Sequence, residues 1–158
     1  LKTKPDHPFE PDFVEALREM FEERIVFNQV LGLKITSFNP SNCVGTIAMR
    51  PELIGSFTHQ RLHGGVISAT LDAMGGLACM LAIGERFIDE PVAARLHRFS
   101  RLGTIDLRID YLRPGNGPAF TASAQVLRLG SRVASTRMAF ANSAGEMIAA
   151  GAAAYIVA

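Results

Sequence analysis

No charge of one sign dominates this sequence: 16 lysines and arginines stand against 15 aspartates and glutamates, a formal net charge of +1. Without an overall basic field, nucleic acid is not an expected partner. Cysteine is scarce as well. Cys43 and Cys79 are the only two, Cys79 lies in a strongly apolar run, and both read as buried free thiols rather than a disulfide. No other ligand cluster accompanies them, so no metal site is expected. Internal repeats, low-complexity stretches and a second-domain boundary are all lacking. The opening stretch, Leu1 to Glu10, is polar with two prolines and does not read as a signal peptide; a cytoplasmic location is the expectation.

Long hydrophobic runs are also lacking, with one exception. From Gly64 to Gly84 the only charged residue is Asp72. That length approaches the roughly 20 residues a bilayer span requires. Five glycines and a central aspartate, costly in lipid, argue instead for a buried helix of a globular domain, with no membrane span. At 158 residues, 48% apolar and 20% charged, the chain suits one domain with a real core.

What is present has a clear order. Phe13, Ala16, Leu17, Met20 and Phe21 recur at helical spacing opposite Glu15, Arg18, Glu19, Glu22 and Glu23, which predicts an amphipathic helix over Pro11 to Glu23. Leu33 to Arg50 predicts two strands about the turn Asn39-Pro40-Ser41-Asn42, and Pro51 to Arg61 a loop. Gly84 to Leu102, with Arg86, Arg95, Arg98 and Arg101, is a polar connection long enough to cover a pocket. Ile105, Leu107, Ile109 and Tyr111 alternate with Asp106, Arg108 and Asp110, a half-buried strand. Three more strands follow, separated by turns at Pro114–Gly117, Leu129–Ser131 and Asn142–Glu146. The last, Met147 to Val157, is alanine-rich enough for a helix, but its place in a strand meander predicts a strand whose small side chains let a helix sit close. Residues 1–30 thus form an N-terminal extension and helix. Residues 31–158 form an α+β domain, an antiparallel sheet of about six strands wrapped around one long buried helix.

Chemistry concentrates where that helix begins. Arg61-Leu62-His63-Gly64-Gly65 exposes backbone N–H groups at a helix N-terminus, where about half a positive charge accumulates. Such a site suits a carbonyl oxygen gaining negative charge; a plain turn before a helix is the simpler alternative. Asp72 is costly in an uncharged helix unless paired, hydrogen-bonded or hydrated, so it is either a structural aspartate or one serving a water. Gly65 and Asp72 are seven residues apart, about 10 Å along the axis, whereas a carbonyl group and its attacking water span about 3 Å. If both are catalytic, one chain cannot bring them to one carbonyl, and two helices paired antiparallel about a two-fold axis can.

His63-Gly64-Gly65 followed by Leu71-Asp72 resembles the HGG-x6-D signature of hot-dog acyl-CoA thioesterases of the phenylacetate-degradation and human thioesterase-superfamily type. Ile109-Asp110-Tyr111-Leu112-Arg113-Pro114 is similar to their strand ending in an aromatic-x-x-Pro turn. Val126-Leu127-Arg128-Leu129-Gly130-Ser131-Arg132 is similar to their V-x-R-x-G-x-[RK] turn, and Gly145 to Ala149 to their closing strand. The likeness spans about Leu31 to Val157. It implies the hot-dog fold and hydrolysis of acyl-CoA, with medium or long chains suggested by the apolar helix and the 84–102 cover. It implies no cofactor and a homodimer or dimer of dimers. Gly64 N–H would polarise the thioester carbonyl beside His63 and Gly65, and Asp72 of the partner would activate water or attack directly. Thr104 falls where relatives place a Ser or Thr near that aspartate, although alternation sets it opposite Ile105 and Leu107, so a local bend is required. Arg128, Arg132, Ser131 and Arg113 would hold coenzyme A, the arginines through their planar donor forks.

One departure stands out: many relatives carry an Asn six residues before the histidine, and here Phe57 occupies that position. Ser56 and His59 are the nearby polar residues, and His59, His7 and His97 read as loop histidines. Two rivals follow, a non-catalytic acyl-CoA-binding or ligand-sensing hot-dog module, which Phe57 favours, and a hot-dog enoyl-thioester hydratase, which HGG-x6-D disfavours.

Overall fold

The computed structural model describes residues 6–158, so of the polar opening stretch residues 1–5 lie outside the described residues. Helix α1 (Pro11–Glu19) starts with proline at its first position and Asp12 in its first turn, both suited to a helix N-terminus. Its inner face buries Phe13 and Leu17 completely.

The helix expected to reach Glu23 does not stay regular. Residues Met20–Arg24 form a π-helical turn, Ile25 is extended, and α2 (Val26–Leu31) follows, ended by Gly32 at φ 71°. The reason lies in Glu22, which periodicity assigns to the solvated face. Its carboxylate accepts hydrogen bonds from the Ile35 N–H (2.8 Å), Lys34 Nζ (3.0 Å) and an Arg18 guanidinium N–H (3.1 Å), tying this turn to the first strand.

Strands β1 (Lys34–Ser37) and β2 (Cys43–Ala48) flank the expected turn. The stretch expected to be a loop is more ordered: a 3-10 turn, Pro51–Leu53, leads into a small hairpin of β3 (Ile54–Ser56) and β4 (Arg61–Leu62), elements too short to leave a readable period. Helix α3 (Gly64–Arg86) follows, two residues longer than the expected end at Gly84. Then come α4 (Val92–His97) and a 3-10 turn, Arg98–Arg101, so the predicted cover is helical. Strands β5 (Gly103–Tyr111), β6 (Ala119–Leu129), β7 (Val133–Asn142) and β8 (Met147–Ile156) complete the chain.

Six strands form one sheet in the order β1-β2-β6-β7-β8-β5, antiparallel at every pairing. The sheet wraps α3, whose Leu71, Met74, Leu77, Met80 and Leu81 are fully buried with Phe120, Phe140 and Ile148. Although α3 is long and apolar enough to cross a bilayer, 67% of its apolar window is buried, as a core helix requires. The alanine-rich end of the chain is the strand β8, with Ala149 and Ala153 facing the core. At Gly75 the helix meets this strand so closely that an added Cβ would lie 2.1 Å from the Tyr155 hydroxyl oxygen.

The cover is fastened to the N-terminal helix. Arg95 is wholly buried, pairs with Glu10 at 2.6 Å and lies 4.6 Å from the Phe13 ring centre. Arg98 stacks on Phe87 at 3.7 Å and pairs with Glu90. Two of the four arginines of this segment therefore fix the cover in place.

Candidate active site

Asp72 lies midway along α3, half-buried at the edge of a mostly apolar cleft. Its Oδ1 accepts a hydrogen bond from the Thr104 hydroxyl at 2.9 Å and lies 3.1 Å from the Tyr155 hydroxyl oxygen. The same Tyr155 hydroxyl reaches the Asp72 backbone carbonyl at 3.0 Å. Oδ2 has no donor among the described residues. Simple alternation would turn Thr104 away from this carboxylate, but β5 carries a bulge. Thr104 pairs with Tyr155 and Asp106 with Ala154, leaving Ile105 as the extra residue, 57% exposed. The bulge returns Thr104 to the inner face, the bend that its assignment required, while Ile105 moves outward against expectation.

Tyr155 was not singled out by sequence reasoning. One signal was available: it is one of only two tyrosines, standing at an inward parity among alanines, and a buried phenol needs a polar partner. Burial above all, with the Asp72 charge beside it, pushes its pKa far above the ordinary phenol range. It therefore remains a protonated donor toward the carboxylate.

The other chemical group lies at the start of α3. His63 is the N-cap, and its Nδ1 accepts the Gly65 N–H at 2.8 Å. In the neutral ring the proton is then on Nε2. The Gly65 N–H, expected to face a carbonyl oxygen, is engaged by this cap. The His63 carbonyl takes the Val66 N–H at 3.0 Å. Gly64 N–H has no acceptor among the described residues, and the helix dipole reinforces it. The Tyr111 hydroxyl donates to the Gly64 carbonyl at 2.9 Å, and an added Cβ at Gly64 would lie 3.3 Å from the Tyr111 ring. Gly64 and Asp72 are eight residues apart, about 12 Å along the axis, so one chain holds the two groups apart.

Arg113 stands with the first group, lining the hollow around His63 and Gly64 and donating to the Met147 carbonyl at 3.0 Å. Arg128, Ser131 and Arg132 are exposed at the other end of α3, about the β6–β7 turn. Arg86 binds the Gly130 carbonyl of that turn at 3.3 Å. The expected site residues thus fall into three clusters along one helix. The cleft at Asp72 has a volume of about 270 Å³ and is walled by Phe21, Phe27, Ala73, Gly76, Phe99 and Leu102. Phe57 lies away from it at the tip of the β3–β4 hairpin, 84% exposed.

An antiparallel sheet wrapped on a single long core helix defines the hot-dog class. The thioesterase-superfamily model matches residues 59–149, more than half of the 158-residue chain, and the protein belongs to that superfamily. The medium/long-chain acyl-CoA thioesterases YigI of Salmonella typhimurium and Escherichia coli K12 are 39% and 38% identical over 147 residues, covering 91% of this chain and 93% of theirs. A crystal structure from Shewanella oneidensis, related to the thioesterase superfamily, superposes with a TM-score of 0.89 at 38% identity and covers 96% of this chain and 99% of that one. Thioesterase superfamily member 2 from Mus musculus shares the fold at a TM-score of 0.70 and 20% identity.

Proposed function

We propose that the protein hydrolyses medium- and long-chain acyl-CoA thioesters to the free acid and coenzyme A, in a homodimer whose sites combine Gly64 of one chain with Asp72 of the other. Water adds to the thioester carbonyl carbon, and Asp72 takes its proton at Oδ2. Thr104 and Tyr155 hold Oδ1 and so fix the carboxylate plane. The carbonyl oxygen becomes an oxyanion facing the Gly64 N–H and the positive end of α3. Collapse of that intermediate breaks the C–S bond, and the coenzyme A thiolate leaves and takes up the proton. The acyl chain occupies the apolar cleft, Arg128, Arg132 and Ser131 meet the phosphates of coenzyme A, and Arg113, beside Gly64, contacts coenzyme A nearer the thioester.

The observation that carries the composite site is the placement of β5. It is an edge strand; near one end Thr104 touches Asp72, and at the other Tyr111 touches Gly64. Two β5 strands paired antiparallel about a two-fold axis near Leu107 would set the partner's Gly64 beside Asp72, and would extend the sheet across an otherwise open edge. Ile105 and Tyr111, 57% and 53% exposed, lie on that strand. The curated relatives at 38–39% identity support the substrate class.

Free-thiol release from an acyl-CoA series of rising chain length, with the mass of the assembly measured in parallel, tests the reading. Turnover by a dimer or dimer of dimers that rises toward longer chains is expected. Acyl-CoA binding without turnover would reject hydrolysis in favour of the binding-module reading that Phe57 favours.

A further inference from the structure

We infer that Gly76 is the acyl-length gauge of this site: the space left by its missing side chain, between Phe21 and Leu102, admits the acyl chain beyond its first few carbons. The inference rests on the hydrolase reading for the position of the thioester, but not for the shape of the cleft.

The two adjacent glycines of α3 differ in what they face. At Gly75 an added Cβ would meet the Tyr155 hydroxyl oxygen at 2.1 Å, so that glycine is required by packing alone. At Gly76 the nearest atoms to an added Cβ are Leu102 Cδ2 at 3.6 Å and Phe21 Cε1 at 4.0 Å, both ordinary contacts. Packing does not exclude a side chain there, and the position opens onto the cleft. Gly76 lies one helical turn beyond Asp72, about 6 Å along the axis. An extended chain advances about 1.2 Å per bond, so a chain leaving the carbonyl at Asp72 passes Gly76 after about five bonds.

The walls opposite are rigid. Phe21 is 2% exposed and braced edge-on by Phe99 with ring centres 5.8 Å apart. Phe99 and Leu102 come from the cover, which Arg95 fastens to Glu10. Helix, N-terminal extension and cover therefore converge on one constriction, with Gly76 as its adjustable side. A β-branched residue at Gly76 would place methyl groups in the path and leave the water-binding side of Asp72 open.

The experiment compares wild type, Gly76→Ala, Gly76→Val and Leu102→Ala, each checked by circular dichroism and thermal melting. The readout is the ratio of kcat/KM for a long acyl-CoA to that for a four-carbon one. Three methylenes excluded from the cleft are equivalent to about a 50-fold loss. Gly76→Val is expected to lower the ratio by about that factor, Gly76→Ala to lower it less, and Leu102→Ala to raise it. A ratio unchanged in folded Gly76→Val, or an equal loss at every chain length, would overturn the gauge. Equilibrium binding of non-hydrolysable acyl-CoA thioethers of the same lengths separates the two readings. If wild type binds them without hydrolysing acyl-CoA and Gly76→Val loses only the long ones, the gauge stands and the hydrolase reading fails.

Discussion

Replacing Tyr155 with phenylalanine removes one oxygen from the centre of the proposed machinery and leaves the packing in place. The ring is 1% exposed, so the phenylalanine fills the same space and no cavity of consequence opens. What is lost is one phenolic proton shared between the Asp72 carboxylate at 3.1 Å and its carbonyl at 3.0 Å. A hydrogen bond to a charged acceptor contributes about 1.5–3 kcal/mol, and the Thr104 hydroxyl remains on the same oxygen. A net stability loss of about 1–2 kcal/mol follows, or a fall in Tm of about 3–6 °C for a chain this size. Loosening the carboxylate plane by a similar energy lowers kcat about 10-fold, since each 1.4 kcal/mol is a factor of about ten. KM stays near wild type, because the hydroxyl faces the carboxylate rather than the ligand. Thiol release under saturating acyl-CoA, together with a melting curve, measures both. A lowered Tm with unchanged kcat would show Tyr155 to be structural only. A loss as complete as that of Asp72→Asn would show the hydroxyl to be a chemical participant, and either result would refute the positioning argument.

Gly75→Ala brings a Cβ to within 2.1 Å of that same hydroxyl, so the ring must shift; a loss of about 1–3 kcal/mol is expected, read as reduced denaturant resistance, with kcat falling alongside. Burial raises the Cys43 and Cys79 thiols to about 12 from an ordinary 9.0. Because the unfolded chain gives up these protons first, the stability tied to them is complete below about pH 9 and is lost as pH rises toward 12. Each thiol contributes up to about 1.4 kcal/mol per pH unit. Urea unfolding between pH 8 and 10.5 should show this fall and a shallower one for Cys43→Ala; an equal slope in both would reject it. Gly64→Pro deletes the proposed carbonyl donor while proline remains at home at a first helical position, and His63 before it is already extended at φ −67°, ψ 135°. Mixed with Asp72→Asn under subunit exchange, two inactive proteins should regain about a quarter of wild-type activity, one intact site in half of the dimers; no recovery would place the site within one chain.

Much of this architecture was legible because it rests on period and polarity. The two-residue alternation around Leu107 and Phe120 marked strands, and the long uncharged run about Asp72 marked the core helix. The sheet of six strands and the superfamily followed from these and from the motif order. Contacts between distant segments were not legible. Nothing near Glu22 announces that Ile35 and Lys34 would draw it out of a regular helix. The bulge at Ile105 likewise shifts one residue without a local turn signal, yet it decides whether Thr104 faces Asp72. The Gly65 N–H looked available from its position and is taken by the side chain two residues before it. Tyr155 was hidden by its strand, whose alanines suggested close packing and drew attention from the one polar atom among them.

Asp72→Asn tests the central claim most directly, since it keeps the size of the side chain and removes its capacity to take a proton. Thiol release from a long-chain acyl-CoA, measured beside a melting curve, should fall at least about 100-fold while the protein stays folded. Turnover within a few-fold of wild type in a folded Asp72→Asn protein would contradict the account, because the carboxylate would then not be the group that activates water.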